Sequence, residues 1–411
     1  MQDNEKKPAL RFKGFTDPWE QRKLGELSCS FEYGLNAAAK EYDGQNKYLR
    51  ITDIDDTSRQ FVTTDITSPD TNLTDADSYK LSDGDVLFAR TGASVGKTYL
   101  YKKFDGLVYF AGFLIRAKIK EGVNAGFIFQ NTLTRGYERY IAITSQRSGQ
   151  PGVNAQEYAE YQLMLPELFE QDKIAKLLEA LDTLITLHQR KYEKLVNIKK
   201  SMLDKMFPKN GASVPEIRFK GFTDLWEQRK ISELAEKTYG GGTPTTSNEA
   251  FWNGNIPWIQ SSDIVDGKLM GVEPRKYITQ TGLNSSATQL VPKNSIAIIT
   301  RVGVGKLAYM PFSYSTSQDF LSLSKLNTEP FFTVYACYKK LQSELNTVQG
   351  TSIKGITKDE LLAKTISVPV YSEQKQIGSF FAQLDTLITL HQRKLEKLQN
   401  IKKSCLEKMF V

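Results

Sequence analysis

Residues 181–207 read LDTLITLHQRKYEKLVNIKKSMLDKMF, and residues 384–410 read LDTLITLHQRKLEKLQNIKKSCLEKMF. The two stretches differ at four of 27 positions, and neither contains glycine or proline. In the first copy the helical pattern runs from Gln171 to Phe207 and ends at Pro208, because proline cannot continue a helix. At about 1.5 Å per residue this predicts a rod roughly 54 Å long. The chain therefore contains two long helices of nearly the same sequence.

Apolar residues along both copies recur at alternating steps of three and four, which is the spacing of a coiled-coil seam. The first series is Leu178, Leu181, Ile185, His188, Tyr192 and Leu195, and after a slip at Ile198 it continues through Met202 and Met206. The second series is Phe381, Leu384, Ile388, His391, Leu395, Leu398, Cys405 and Met409. Two such rods predict an antiparallel coiled coil with a pseudo-two-fold axis. We interpret the two equivalent seam histidines as register-fixing polar residues, because no further metal ligand or nucleophile repeats with them.

A second pair of copies precedes the helices. Residues 11–23 read RFKGFTDPWEQRK and residues 218–230 read RFKGFTDLWEQRK, with a single change between Pro18 and Leu225. We call these 13-residue copies segments A and the long helices segments B. The predicted layout is a repeat segment at 1–23, a mixed domain at 24–166, a long helix at 167–207, a linker and repeat segment at 208–230, a second mixed domain at 231–369 and a second long helix at 370–411.

The two domains between A and B are far less alike than A and B themselves. FARTGASVGK (88–97) is similar to IITRVGVGK (298–306), and YLRITDI (48–54) is similar to WIQSSDI (258–264), but little else matches. Two identical partners docking on A and B would keep those segments alike, while two different targets would let the domains diverge. Uneven drift or recent recombination is the alternative explanation.

Both domains are predicted to mix strands, turns and helices, giving an α+β chain. The predicted strands include DVLFAR (85–90), LVYFAGFLIRAKI (107–119), NSIAIIT (294–300) and KTISVPV (364–370), and glycine-rich turns separate them. Loops on such a scaffold carry side chains suited to base edges and phosphates. The candidate DNA-binding residues are Arg50, Arg90, Lys97, Arg147 and Gln150 in the first domain, and Thr243, Gln260, Ser261, Arg301, Lys306, Ser352 and Lys354 in the second. The competing interpretation of each is an ordinary surface loop residue.

Bulk composition excludes several classes of protein. The net charge of +7 permits nucleic-acid binding, yet residues 24–166 hold 15 basic against 18 acidic residues, and residues 231–369 hold 13 against 11. A DNA surface must therefore be a local patch. Three scattered cysteines fit neither a disulfide framework nor a metal cluster, and the sequence has no long apolar run and a polar N-terminus. These features predict a cytoplasmic protein without a membrane span.

One motif suggests an enzyme. GASVGKT (92–98) resembles a P-loop, but it has three residues where that loop needs four, and the following TYLYKKF is typical of a strand rather than a helix. We find no metal-ligand spacing, nucleophile elbow or Asn/Asp-Pro-Pro-aromatic methyltransferase motif in the sequence. No catalytic centre and no metal site are therefore predicted.

Four stretches of the sequence resemble those of a known protein family: one near the start of each half and one that leads into each long helix. RFKGFTDPWEQRKLGEL (11–27) lies near the start of the chain, and GGTPTTSNEAFWNGNIPWIQSSDI (241–264) lies near the start of the second domain. LMLPELFEQDKIAKLLEALDTLITLHQRK (163–191) and ISVPVYSEQKQIGSFFAQLDTLITLHQRK (366–394) each place Pro-x4-Gln before the helix. With its repeated layout, the chain resembles the specificity subunits of type I restriction–modification systems. The first domain departs from the pattern, since FEYGLNAAAKEYDG (31–44) stands where the second has GGTP.

The resemblance implies a non-catalytic subunit that binds double-stranded DNA. Each target recognition domain would read one half of a bipartite asymmetric site, and the coiled coil would set the gap between the halves. Two methyltransferase subunits would dock on the helices, and restriction subunits would complete a translocase and nuclease. S-adenosylmethionine, ATP and Mg would belong to those partners, and none to this chain. The alternatives are a coiled-coil scaffold joining two protein-binding domains without a DNA role and, on the GASVGKT motif, a P-loop NTPase.

Overall fold

The computed structural model describes residues 7–147, 149–209, 212–347 and 355–411. The chain divides into two compact units, one made of Met1–Gln189 with Arg393–Val411 and the other of Arg190–Gln392. Each unit holds one mixed domain together with parts of both long helices. The predicted α+β class with a two-fold internal repeat is confirmed.

In the first unit, short strands form three sheets. The strands are β1 (Glu20–Lys23), β2 (Ser28–Tyr33), β3 (Ala38–Glu41), β4 (Lys47–Leu49), β5 (Thr67–Asp70), β6 (Val86–Ala89), β7 (Thr98–Leu100), β8 (Val108–Phe110), β9 (Leu114–Ile119) and β10 (Gln162–Leu165). The sheets have the orders β2-β9-β6-β7, β3-β5-β4-β8 and β1-β10. The short helices are α1 (Ala125–Asn131), α2 (Arg135–Thr144) and α3 (Ala155–Ala159).

The sequence of strand β6 is apolar throughout because both faces of the strand are buried. Val86 and Phe88 face a core shared with the helices, whereas Leu87 and Ala89 face a second core against the neighbouring sheet. A strand buried on both faces has no polar alternation, which is the pattern that predicted it. The stretch 107–119, predicted as one strand, is instead two strands, because the chain turns at 111–113 between β8 and β9.

The second unit repeats this architecture. Its strands are β11 (Glu227–Lys230), β12 (Ala235–Gly240), β13 (Trp252–Ile259), β14 (Lys276–Ile278), β15 (Ser295–Ile299), β16 (Leu307–Met310), β17 (Ser315–Thr316), β18 (Phe320–Leu326) and β19 (Thr365–Val368). The sheets have the orders β12-β18-β15-β16, β14-β13-β17 and β11-β19. Its shorter helices are α5 (Gln280–Asn284), α6 (Pro330–Thr347) and α7 (Lys358–Ala363). Strand β15 is buried on both faces, as β6 is.

The long helices are α4 (Leu168–Lys205) and α8 (Tyr371–Met409). In the first unit, Leu178 near the start of α4 shares a core with Met409 at the end of α8, and Lys402 pairs with Asp182 at 2.5 Å. In the second unit the start of α8 packs in the same way against the end of α4, and Lys199 pairs with Asp385 at 2.5 Å. The predicted antiparallel pairing of the helices is confirmed in each unit.

Segment A folds back onto the start of its helix. Strand β1 pairs antiparallel with β10, and β11 pairs with β19 in the same register. The Arg11 fork donates to the Glu170 carboxylate at 2.7 and 2.8 Å, and Arg218 donates to Glu373 at the same two distances. Both glutamate side chains are fully buried. Part of the likeness between the two A copies therefore has an intramolecular reason, which sequence analysis had not supplied.

The Pro-x4-Gln lead also has a structural reason. Gln171 donates from Nε2 to the carbonyl of Pro166 at 2.8 Å, and its Oε1 accepts from the backbone of Asn124 at 2.9 Å. Gln374 makes the equivalent pair of bonds at the same distances, to Pro369 and from Glu329. Each buried glutamine thus ties the mixed domain to the first turn of its long helix. Within the described residues no helix is long and apolar enough to cross a membrane.

Candidate nucleic-acid interface

In the first domain, several strands end at one edge, and candidate arginines follow directly after two of them. Arg50 follows β4 and Arg90 follows β6. The turn after β8 joins them, because the backbone N–H of Ala111 donates to the Leu49 carbonyl at 2.9 Å and that of Arg90 donates to Phe113 at 3.1 Å. The fold therefore brings Arg50 and Arg90 to a shared edge.

A second loop reaches the same edge. The backbone N–H of Val153 donates to the Arg90 carbonyl at 2.9 Å, and that of Gly92 donates to Pro151 at 3.0 Å. Gln150 is exposed beside this contact, and a Cβ added to Gly92 would lie 2.9 Å from its Nε2. Gln150 and Arg90, separated by 60 positions in sequence, are thus neighbouring parts of one surface.

The three candidate arginines of this domain differ in their partners. The Arg50 fork donates to the Asp53 carboxylate at 2.9 and 2.7 Å, and this hydrogen bond raises the pKa of Arg50. Arg147 pairs with Glu157 and donates to the Thr144 carbonyl at 2.8 Å. Because both already have acceptors, a base or phosphate would have to displace or share them.

Arg90 has aromatic rather than acidic neighbours. Its guanidinium carbon lies 5.1 Å from the ring centroid of Tyr33 and 5.9 Å from that of Phe113. The Arg90 Nε is buried without a partner among the described residues. Both rings are largely exposed, at 44% for Tyr33 and 60% for Phe113. These rings were not among the predicted residues, although FEYG (31–34) places Tyr33 directly before Gly34.

Lys97 lies elsewhere. Its side chain is only 8% exposed, and Nζ donates to the Ile54 carbonyl at 3.0 Å and pairs with Asp56 at 2.5 Å. That pairing lowers the pKa of Asp56. The burial argues against the predicted phosphate contact and gives Lys97 a structural part in holding the loop. TYLYKKF begins as strand β7, as expected, so a helix N-terminus does not follow the glycine-rich loop.

The second domain builds an equivalent edge. The backbone N–H of Ser317 donates to Ile259 at 2.9 Å, that of Gly242 to Thr316 at 2.9 Å, and that of Thr300 to Asp319 at 2.7 Å. These bonds bring together the residues that follow β12, β13 and β15. They include four of the predicted candidates: Thr243, Gln260, Ser261 and Arg301.

The side chains of this edge are mostly polar and uncharged. Thr243 donates to the Gln318 side chain at 2.6 Å, and Gln260 donates to Ser262 at 2.9 Å. Arg301 is exposed, and Lys306 is half-buried on the return of its loop. Gln318 is exposed and was missed, because its turn carried no motif. The candidates Ser352 and Lys354 lie outside the described residues.

Hydrogen bonding relates the two edges residue by residue. A Cβ on Gly34 would lie 2.1 Å from the Ala111 carbonyl oxygen, and one on Gly241 would lie 1.9 Å from that of Ser317. GLNA (34–37) therefore occupies the place of GGTP (241–244), which the sequences did not reveal. Ile356 donates to Thr300 at 2.7 Å as Val153 donates to Arg90, so Thr300 is the counterpart of Arg90.

No group of three or more metal-ligating side chains gathers within the ranges that the structure describes. What the two edges offer is guanidinium, amide and hydroxyl groups, with aromatic rings in the first domain. Such groups can hydrogen-bond base edges and phosphates. The two edges share a backbone frame and differ in the side chains they present.

Known proteins show the same arrangement. A family model described as the type I restriction modification DNA specificity domain matches residues 16–197 and again 223–400. A type I restriction enzyme specificity subunit of Methanocaldococcus jannaschii (MjaVIII) is 22% identical over 406 residues, covering 94% of this chain and 91% of that protein. The EcoR124I/EcoR124II specificity subunit of Escherichia coli is 30% identical over 169 residues, 39% of this chain and 41% of its own. The crystal structure of a type I restriction–modification S subunit from M. genitalium superposes with a TM-score of 0.69 at 13% identity, covering 98% of this chain and 99% of that one.

Proposed function

The chain belongs to the family of type I restriction–modification DNA specificity proteins, and from that premise we propose how its two halves divide the recognition of DNA. Each mixed domain reads one half of a bipartite site through the edge described above. Because the two edges carry different side chains on one frame, the two half-sites differ in sequence. The long helices fix the number of base pairs between them.

The observation that carries this proposal is the matched pair of edges. Three features recur in both units: a glycine without room for a Cβ, a polar residue after the equivalent strand, and a loop closed by the equivalent backbone hydrogen bond. Equivalent frames with unlike side chains are what two readers of different sequences require. A scaffold for two protein partners is disfavoured, because the family model of a DNA specificity domain matches both halves of the chain.

We further propose that two copies of a methyltransferase subunit dock on segments A and B. The buried members of A are explained by their contacts with the helix. Several exposed members are also identical in the two copies: Lys13, Asp17, Glu20 and Gln21 correspond to Lys220, Asp224, Glu227 and Gln228. An identical exposed surface in two places supports two copies of one partner. S-adenosylmethionine, ATP and Mg would be bound by the methyltransferase and restriction subunits in the cytoplasm.

Genome-wide mapping of methylated adenine in the host, with and without this gene, tests the proposal. We expect deletion to remove one split motif, with two short half-sites around a fixed gap, because the methyltransferase then has no DNA-reading subunit. Restoring the gene should restore the motif. An unchanged map, in cells shown to express the partner methyltransferase, would contradict the proposal and favour the protein scaffold.

A further inference from the structure

Arg90 lies close to two aromatic rings, those of Tyr33 and Phe113. Its guanidinium carbon lies within about 6 Å of both ring centroids, which is the range of cation–π attraction. The backbone N–H of Arg90 donates to the carbonyl of Phe113, so the residue and one of its rings are also joined through the main chain. Contact with two rings restricts the rotamers of a side chain that would otherwise be mobile.

The same guanidinium has no acidic partner among the described residues. Arg50 at the same edge pairs with Asp53, and Arg147 of the same domain pairs with Glu157. The Arg90 Nε is buried and unpaired, which leaves the two terminal Nη groups to meet a ligand. An arginine ordered by rings and lacking an acceptor is prepared to bind an acceptor from outside the chain.

We infer that the Tyr33–Arg90–Phe113 stack is the guanine-reading element of the first recognition domain, an inference that rests on the proposed DNA-reading function. The planar fork matches the O6 and N7 acceptors of guanine, the commonest specific contact of arginine with DNA. The rings orient that fork, so fewer conformations are lost when the base is bound. Tyr33 and Phe113 are positioning residues, and Arg90 makes the contact.

The second domain lacks this device. Thr300, the counterpart of Arg90, donates from its hydroxyl to the Asp319 carbonyl at 3.0 Å, and Gly240 precedes Gly241 where Tyr33 precedes Gly34. The counterparts of Tyr33, Arg90 and Phe113 are Gly240, Thr300 and Asp319, so no arginine flanked by rings occurs at this point. An arginine ordered by aromatic rings therefore belongs to one half-site only, which gives the asymmetry of the site a structural origin.

The test is selection from a random DNA library by the full chain in complex with its methyltransferase subunits, followed by sequencing. We expect the wild-type complex to enrich a split motif with a fixed guanine in one half. Arg90→Lys keeps the charge but loses the fork, so preference for that guanine should fall about 10-fold or more while the other half is unchanged. Tyr33→Leu and Phe113→Leu should each weaken the preference at the same position. Arg139→Lys, an exposed arginine on α2 whose Nε donates within its own helix, is the matched control.

The outcomes separate the inference from the proposed function. A wild-type split motif with a guanine preference that survives Arg90→Lys would overturn the inference and leave Arg90 a phosphate contact. A motif without a guanine in either half would overturn it as well. Enrichment of no motif by the wild-type complex would overturn both. If Arg90→Lys fails to fold, the two ring variants decide, since unchanged guanine preference in both rejects the stack.

Discussion

At the scale of single residues, the two segments A differ in the hydrogen bonding of their buried tryptophans. Trp19 donates from Nε1 to the buried Glu170 carboxylate at 3.2 Å, whereas Nε1 of the equivalent Trp226 is buried without a partner among the described residues. Both tryptophans are buried against phenylalanine rings, Trp19 on Phe127 at 5.8 Å and Trp226 on Phe332 at 5.9 Å. Packing is therefore similar, and the hydrogen bond is the main difference.

This difference predicts unequal costs for the same substitution. Trp19→Phe loses packing and a bond to a charged group, while Trp226→Phe loses packing and removes an unpaired buried donor. We expect Trp19→Phe to reduce the free energy of unfolding by about 1–3 kcal/mol more than Trp226→Phe. Urea denaturation of the two variants, followed by circular dichroism, would measure it. Equal costs would show that the Trp19 bond contributes nothing net.

At the scale of elements, the long helices are proposed to set how far apart the two half-sites are read. Four residues inserted after Gln189 in α4 and four after Gln392 in α8 add one helical turn to each, about 6 Å. With base pairs about 3.4 Å apart, the gap in the methylated motif should lengthen by about two base pairs while the letters of both halves stay the same. Methylome mapping of a strain carrying this variant is the measurement.

A loop insertion provides the control for that experiment. Four residues placed after the exposed Gly44, whose Cβ position contacts nothing, should leave the gap unchanged. Altered half-site letters with an unchanged gap in the helix variant would refute the idea that the helices act as a ruler.

Sequence patterns predicted helices and strands better than they predicted contacts between residues distant in sequence. The runs 85–90 and 294–300 are strands because burial on both faces demands continuous apolar residues, and the coiled-coil spacing marked both helices. The pairing of Arg11 with Glu170 spans 159 positions, and no local pattern encodes it. The pairing of Lys97 with Asp56 was not predicted for the same reason, since Asp56 comes from a loop that only the tertiary fold brings near. Gly34 was unrecognised because the residues that crowd it, at 110 and 111, are distant in sequence.

At the scale of the whole molecule, the same supporting contacts occur in both units of the chain. The ion pair that holds segment A, the glutamine that ties each domain to its helix, and the glycine that seats each recognition edge recur at matching distances. The side chains at the strand ends are among the features that differ between the two domains. Substitution of a residue in a supporting contact should therefore affect stability, whereas substitution of an edge residue should affect one half-site.

Substitution of Arg301 tests whether each edge recognises only its own half-site. Arg301 is exposed directly after Thr300, and Thr91 is its counterpart in the first domain. If Arg301 contacts a base, Arg301→Ala should weaken recognition of the second half-site by about 1–3 kcal/mol, because a bidentate contact is lost there alone. Competition binding of the complex to DNA altered in one half at a time would measure it, with Thr91→Ala as the matched change in the other domain. Equal losses on both half-sites would mean that the two edges do not read independently, since a change confined to one unit would then have altered recognition by both.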